Sequence, residues 1–322
     1  MSEHLLYLSR SDVKALAIDP GQAREAVLQA FRDHAAGMNS SLPKSSLMLG
    51  PGHGFQAMTA ASLSDGVATL KWVSMAPVAP DSPVPGINAL ICVSDYETGA
   101  PLAVLDGDEI TLVRTAALSA AGAARLAPRA PATIGFVGCG LQAYAHLSAF
   151  LDLYPGLTTA LALSRSRSSA ERFAQAASDR GLTSEIVADA DTLLGRSDIV
   201  ISMVPGAPGL EPFLNARLMQ PNACAVAVDI GRSWIPESLP AFDVLATDSL
   251  AQSKAPYDVD GNPVTTVTFG HDLVELADAA HPTAHGARSF FCFRGFALAD
   301  LALASLVVGR ARERGIGTLL PR

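Results

Sequence analysis

The chain has 322 residues, 49% of them hydrophobic and 17% charged, which is too long for one small core and too short for a string of modules. One large domain or two closely joined ones are expected, and a disordered chain is excluded. A net charge of −8 with no lysine- or arginine-rich block argues against nucleic acid as a partner, because a polyanion would meet a repulsive field over most of the surface.

At the N-terminus, MSEHLLYLSRSDVKAL lacks a basic segment followed by an apolar one, and no uncharged apolar run reaches about 18 residues. A soluble, cytoplasmic protein without a membrane partner is therefore expected. DPGQAREAVLQAFRDHAAG (19–37) predicts a helix with Asp19 as N-cap, Pro20 at the first helical position and Gly37 just past the end. GFQAMTAAS (54–62), ATLKWVS (68–74) and GINALICVSDYETGAPLAVLDG (86–107) are short, apolar or alternating, and broken by turn residues, which predicts a mainly antiparallel sheet. The stretch TLVRTAALSAAGAARLA (111–127) predicts a helix stopped by Pro128 and Pro131, and the domain boundary is expected inside it. From residue 133 the texture changes to TIGFVG, TALALS, SEIVA, DIVISMVP, ACAVAVDIG and FDVLATD separated by helical stretches, the pattern of a parallel sheet wound by right-handed crossovers. Cys92, Cys139, Cys224 and Cys292 lie far apart in apolar runs without C-x-x-C spacing, so buried reduced thiols are expected. His281 and His285 sit four apart, but Pro282 and Gly286 mark a loop and no Cys, Asp or Glu cluster completes a set of metal ligands; no metal is expected.

TIGFVGCGLQAYAH (133–146) carries G-x-G-x-x-A as Gly138, Gly140 and Ala143, directly between a predicted strand and a predicted helix, which is the context this motif requires. Gly138 allows the tight turn, Gly140 lets the backbone approach a pyrophosphate, and Ala143 permits close helix-to-strand packing. The helix N-terminus then offers unpaired N–H groups to the phosphates. Cys139, Leu141 and Gln142 complete this turn, and Met203, Val204 and Pro205 after the fourth strand, with Asp229 and Gly231 after the fifth, are expected beside the same nucleotide. The second strand ends in Ser164, Arg165, Ser166 and Arg167 instead of an acid that would hold a ribose 2′-hydroxyl. Basic and hydroxyl groups suit a 2′-phosphate, so the reading leans to NADP over NAD, with arginines solvated at a helix start as the alternative.

At residues 109–143, EITLVRTAALSAAGAARLAPRAPATIGFVGCGLQA resembles the ornithine cyclodeaminase/mu-crystallin family, in which a long helix carrying R-T-A-A leads straight into the G-x-G-x-x-A strand. LKWVS around Lys71, DYETGAPLAVLDG (95–107) and the tail FFCFRGFALADLALASLVVGRARERGIG (290–317) extend the likeness over nearly the whole chain. The resemblance implies an α/β protein with a Rossmann-type doubly wound parallel-sheet domain (119–297). The other domain is an N-terminal α+β substrate and dimerisation domain (1–118), completed by the returning C-terminal helix (298–322). It also implies a homodimer joined through the N-terminal sheet domain and a small imino or amino acid placed against a nicotinamide ring. By motif, Arg114 matches the family arginine that grips the substrate carboxylate, Lys71 matches the active-site lysine, and Lys44 in SLPKSS occupies the place of a further carboxylate-binding arginine.

These assignments make physical sense, since a carboxylate in a partly dry cleft needs a fork of donors, and a crowded lysine can either donate to it or take part in proton transfer. The plainer alternatives are an interdomain salt bridge for Arg114, a side chain reaching to solvent for Lys71 and a surface role for Lys44. His53 in GPGHGF and Asn88 in GINAL are candidates to touch substrate, or else a solvated ring and a turn cap. Asp300 in GFALAD reads as steadying the last helix or the active-site loop.

Two departures narrow the implied chemistry. Cyclodeaminases of the family carry an aspartate in G-G-D-x-P-G-K-x-E-L; here the loop is VDIGRSWIPESL, with Gly231 or Arg232 in the place of the aspartate and only Glu237 matching. Where relatives show a small residue before a glycine, FCFRGFALAD has Arg294. Two additional arginines suit a second acidic group on the substrate, with carboxylates of the protein itself as the alternative partners. The expected reaction is NAD(P)H-dependent reduction of a small imino acid to an L-amino acid, with iminosuccinate to L-aspartate as the closest fit. Alanine dehydrogenase, cyclic ketimine reductase, a cyclodeaminase-type lyase and a non-catalytic nucleotide-binding protein are the alternatives.

Overall fold

A computed structural model describes residues 4–50, 52–79, 82–206, 209–254, 267–278, 280 and 285–322. The chain divides into two units, one formed by residues 1–114, 254–263 and 295–322 and the other by residues 115–253 and 264–294.

The first unit opens with strand β1 (His4–Leu8), the short helix α1 (Arg10–Ala15) and helix α2 (Pro20–Ala35). Helix α2 starts as the sequence dictates, with the Asp19 carboxylate accepting the Gln22 N–H at 3.1 Å and Pro20 at the first position, and it buries Ala23, Val27, Ala30 and Phe31 along one stripe. Five more antiparallel-paired strands follow: β2 (Asn39–Ser41), β3 (Ser45–Met48), β4 (Gly54–Ser62), β5 (Val67–Met75) and β6 (Ile87–Asp95), and then β7 (Pro101–Asp106). Helix α3 (Gly107–Leu126) begins in this unit and ends in the other, so the division falls inside it, at Arg114 and Thr115.

The second unit alternates strands with helices. The elements are β8 (Thr133–Val137), α4 (Leu141–Leu153), β9 (Thr159–Leu163), α5 (Arg167–Ser178), β10 (Thr183–Ile186), α6 (Ala190–Arg196), β11 (Ile199–Ser202), β12 (Cys224–Ala227), β13 (Val244–Thr247), α7 (Leu250–Lys254), β14 (His271–Asp272), α8 (Leu273–Leu276) and β15 (Ser289–Cys292). All its strand pairs are parallel, in the order β10-β9-β8-β11-β12-β15-β13-β14. The chain winds outward from β8 to β10 and then returns to start in the other direction at β11. The topological switch point therefore lies between β8 and β11, where ligands of open α/β sheets bind beyond the carboxyl ends of the strands. This is the Rossmann-type α/β fold. Strand β15 inserts between β12 and β13, and its Phe290 stacks on Phe242 with ring centroids 4.9 Å apart and meets Trp234 edge-on at 5.6 Å.

The chain then returns to the first unit with helix α9 (Ala297–Arg314), ended by Gly315 in the left-handed conformation, and strand β16 (Thr318–Pro321). The first sheet runs β16-β1-β7-β6-β5-β4-β2, with β3 also paired to β4. It is antiparallel except for the β1–β7 pair. One face is covered by α9 and carries Met58, Ala60, Thr69, Lys71, Ile91, Val93 and Leu105. The alternation of a strand sends Leu70, Trp72, Leu90 and Cys92 to the other face, where all four are exposed. Cys92 thus corrects the expectation of four buried thiols: the apolar run around it is real, but its period of two puts Ile91 and Val93 inside and Cys92 outside. Cys139, Cys224 and Cys292 are buried, and all four are free. Among the described residues, no helix is long and apolar enough to cross a membrane.

Candidate active site

In the first unit, strand β5 alternates Val67, Thr69 and Lys71 onto the helix-covered face, so a lysine is forced into the core position of a central strand. It is only 1% exposed, and the buried charge is met by Asp300 on the first turn of α9, whose Oδ1 accepts a hydrogen bond from Lys71 Nζ at 2.8 Å. Arg114, on α3, brings its Nε to 3.1 Å from the same Oδ1, an ion-pair contact without the alignment of a hydrogen bond. Asp300 Oδ2 is buried and, among the described residues, accepts no hydrogen bond. Gly295 makes room for the arginine: it has φ +85°, and a Cβ there would lie 2.7 Å from Arg114 Nη1.

The electrostatics follow from this crowding. Burial, reinforced by the Arg114 charge, lowers the Lys71 pKa to about 8, against the opposing pull of Asp300 and Asp108. Burial would raise the Asp300 carboxyl, but Arg114, Lys71 and Lys44 together outweigh it and hold the group below the ordinary carboxylate range. At neutral pH Lys71 is an ammonium with a proton it can release, beside a guanidinium that cannot lose its own. Asp108 is itself held by accepting the Ala89 N–H at 2.7 Å.

The other candidates of this unit are placed differently. Lys44 is half-buried in the loop between β2 and β3, close enough for its charge to act on Asp300. His53 is exposed just before β4. Asn88 Nδ2 donates to the Pro85 carbonyl at 2.7 Å, which makes it a turn cap, and the alternation of β6 puts it on the outer face with Leu90 and Cys92.

In the second unit, Gly138 follows β8 with φ +95°, and its N–H donates to the Leu163 carbonyl at 2.8 Å. A Cβ at Gly138 would lie 3.0 Å from the Met203 carbonyl oxygen, so the turn after β8 and the chain after β11 pass each other at glycine distance. Gly140 is the N-cap of α4 and gives no side-chain cap, and a Cβ there would meet nothing within 4 Å. A helix start without a side-chain cap and with open space beside its glycine is what a pyrophosphate requires, so the residues present fit a dinucleotide. Ala143 is fully buried against the sheet, Cys139 is buried with its thiol pushed up to about 12 by desolvation, and Leu141 is exposed. Gln142 lends its carbonyl to His146 Nδ1 at 2.7 Å, while His146 Nε2 meets Ser119 Oγ at 2.8 Å. Met203 donates its N–H to the Val137 carbonyl at 2.9 Å, and Val204 and Pro205 continue from it.

After β9, Ser164 is half-buried and Arg165 exposed, and Ser166 caps α5 by accepting the Ser169 N–H. Arg167 is drawn to Glu171 at 2.8 Å. The loop after β12 is built around Asp229. Its Oδ1 accepts from Ser202 Oγ at 2.9 Å and from the Gly231 N–H at 3.2 Å, its Oδ2 accepts from Ser233 Oγ, and Trp234 Nε1 donates to Ser202 Oγ at 2.9 Å. Burial nevertheless raises its pKa, with those hydrogen bonds opposing. Ile230 at φ +62° and Gly231 at φ +77° turn this loop through the left-handed region, a strained conformation for a β-branched residue. The loop places Arg232 so that a Cβ on Gly206 would lie 3.1 Å from its Nη1. Arg294 is buried, and its Nη1 donates to the Gln252 carbonyl at 2.7 Å. His285 Nδ1 lies 2.5 Å from the Ala127 carbonyl, and His281 is outside the described residues.

The structure thus brings Lys71 and Arg114 together on Asp300, a role that goes beyond steadying the last helix. The missed signal is an aspartate one turn inside an apolar helix, at a position that only a buried cation could compensate.

Residues 4–234 match the model of the ornithine cyclodeaminase/mu-crystallin family. An alanine dehydrogenase of Archaeoglobus fulgidus is 27% identical over 97% of this chain and 97% of its own length. The ketimine reductase mu-crystallin of Rattus norvegicus is 29% identical over 78% of each chain. Among solved structures, an archaeal alanine dehydrogenase dimer with bound NAD superposes with a TM-score of 0.86 at 25% identity, covering 98% of this chain and 99% of that one.

Proposed function

Because the chain belongs to the ornithine cyclodeaminase/mu-crystallin family, we propose that it is an NAD(P)H-dependent oxidoreductase that reduces the C=N bond of a small imino acid to an L-amino acid. The observation that carries this reading is the buried Lys71–Asp300–Arg114 cluster, in which two cations share one carboxylate oxygen. A site of that charge takes an anionic group, and a lysine with its pKa near 8 has a proton to give. The relatives named alanine dehydrogenase and ketimine reductase support the reaction class.

A reduced nicotinamide, when bound, would supply the hydride that an imine carbon needs. Arg114, with Lys44 or Lys71, binds the α-carboxylate, and Lys71 or a water it orients gives the proton to the imine nitrogen, so that an amine is formed. Cations beside the C=N group draw electron density from its carbon and so favour hydride acceptance. Gly138, Gly140 and Ala143 would hold the pyrophosphate, and Ser164, Arg165 and Ser166 would meet the adenosine ribose, where NADP would be the favoured form. Asp229 has both carboxylate oxygens engaged, by Ser202 at the end of β11 and by Ser233 in its own loop, which argues against its replacing the missing acid of the cyclodeaminases.

Arg232 and Arg294 are assigned to a second acid group of the substrate, which makes iminosuccinate, and hence L-aspartate as product, the preferred pair. The exposed apolar face of the first sheet, with Leu70, Trp72 and Leu90 and with Phe55 stacked on Trp72 at 5.9 Å, is the proposed homodimer contact; light scattering at the mass of a single chain would remove it. The test of function is to mix the protein with NADH or NADPH, ammonia and a set of 2-oxo acids including oxaloacetate. Consumption of reduced nucleotide with oxaloacetate is the expected result. A cyclodeaminase would give no net change over many turnovers, and the absence of any turnover would sink the reductase reading.

A further inference from the structure

Asp300 has no task in the reaction just described, yet it is the most constrained group of the cluster. It is 1% exposed and sits on the first turn of α9, its Oδ1 contacts both cations, and its Oδ2 is buried and meets no hydrogen-bond donor among the described residues. An unfilled buried carboxylate oxygen is costly and needs a reason. Replacing the whole trio by apolar groups would relieve that cost and would fill the space, so packing alone does not explain it.

The surroundings supply a reason. Lys71 faces Asp300 from α9, Arg114 and Asp108 from α3, and its own burial; Lys44, from the loop after β2, acts on Asp300. Arginine keeps its proton under almost any conditions, so when the two buried cations repel each other it is the lysine that gives way. A neutral Lys71 would have no proton to deliver. Of the two carboxylates acting on Lys71, Asp300 is the one that also hydrogen-bonds it.

We infer that Asp300 is the positioning residue of this site, whose single shared oxygen keeps Lys71 protonated and aimed beside the Arg114 guanidinium so that the lysine can act as the acid. The inference rests on the reductase reading for its meaning in catalysis, but it concerns a property of the protein that exists without substrate. Asp300 stays ionised throughout and exchanges no proton with the substrate.

The test is a proton titration of Lys71 in the full-length protein, followed by NMR of ε-13C-labelled lysine with the resonance assigned through Lys71→Arg. In wild type the midpoint is expected near 8, where burial and the ion pair leave it. In Asp300→Asn the opposing charge is gone, and the midpoint should fall by at least one pH unit. The basic limb of kcat/KM for imine reduction should move to lower pH by the same amount. Asp300→Glu, which keeps the charge, should hold the midpoint near the wild-type value. A purely structural aspartate would lower activity at every pH and leave the limb where it was. An unmoved midpoint in Asp300→Asn, or a wild-type Lys71 already neutral at pH 6, overturns the inference; the latter outcome needs no variant to fold. Absence of imine reduction would sink the reductase reading and leave the titration to be read on its own.

Discussion

Gly295→Ala separates backbone strain from site geometry. Gly295 has φ +85°, and a Cβ there would lie 2.7 Å from Arg114 Nη1 and 3.4 Å from Cζ and Nη2. An L-residue in that region costs about 1–2 kcal/mol of backbone strain. The clash is with the far end of a flexible side chain, so the guanidinium yields and the backbone does not. A fork displaced by several tenths of an ångström no longer meets a carboxylate with two aligned donors. A hydrogen bond to a charged group contributes about 1.5–3 kcal/mol, and at about 1.4 kcal/mol per tenfold the loss in kcat/KM is roughly 10- to 150-fold. It should appear mainly in KM, since the carboxylate is bound alike before and during hydride transfer. Gly315→Ala is the control: its φ of +63° carries a similar backbone cost, but nothing lies within 4 Å of the added carbon. Denaturant unfolding should therefore show comparable destabilisation for both variants, while steady-state kinetics shows the KM effect in Gly295→Ala alone. Equal kinetics in the two variants would refute the placement of Arg114 as the carboxylate fork.

The nucleotide turn predicts that Gly140→Val keeps its stability, because the site of the new side chain is open, but weakens NADH or NADPH binding at least tenfold in calorimetry by filling the phosphate's space. Arg294→Ser and Arg232→Ser should each reduce kcat/KM for iminosuccinate about tenfold or more relative to the imine of pyruvate; equal losses on both substrates would remove the diacid assignment. Arg165→Ala should lower the ratio of NADPH to NADH efficiency, whereas Arg167→Ala should leave it nearly unchanged because Arg167 is engaged by Glu171. Lys71 has a folded pKa near 8 against an ordinary 10.5, so between those values the unfolded chain binds its proton more tightly and stability rises with pH. Thermal unfolding should accordingly show wild type gaining on Lys71→Met from pH 8 to 10, and a constant difference would contradict the lowered value.

What the sequence made legible was local. The glycine turn could be read from spacing because Gly138 needs a positive φ and Gly140 an empty flank, demands made within a few residues of chain. Helix α2 was equally readable from Asp19, Pro20 and Gly37. Strand β1 was not, because five residues at the start of the chain gain their pairing from β7 and β16, far away in sequence. The same distance hid the insertion of β15 between β12 and β13. Cys92 was assigned to the interior because an apolar run gives the face of a strand only once its register is known. The pairing of Lys71 with Asp300 spans 229 positions, and neither residue alone shows that the other compensates it.

The charges of the first unit also bear on what the substrate must be. Arg114 and Asp108 act on Lys71, and Arg114 and Lys44 act on Asp300, so that with the Lys71–Asp300 pair itself three cations face two carboxylates, an excess of one positive charge. One α-carboxylate neutralises it, and a second acid group brought there would be left without a counter-charge in a region where unpaired charge is costly. A diacid therefore needs its second cation from outside this set, and Arg232 and Arg294 are the residues by which this chain departs from the family pattern. A monocarboxylic imine would satisfy the cluster and leave those two arginines with no part in recognition. The diacid assignment thus stands or falls with the relative, not the absolute, effect of replacing them.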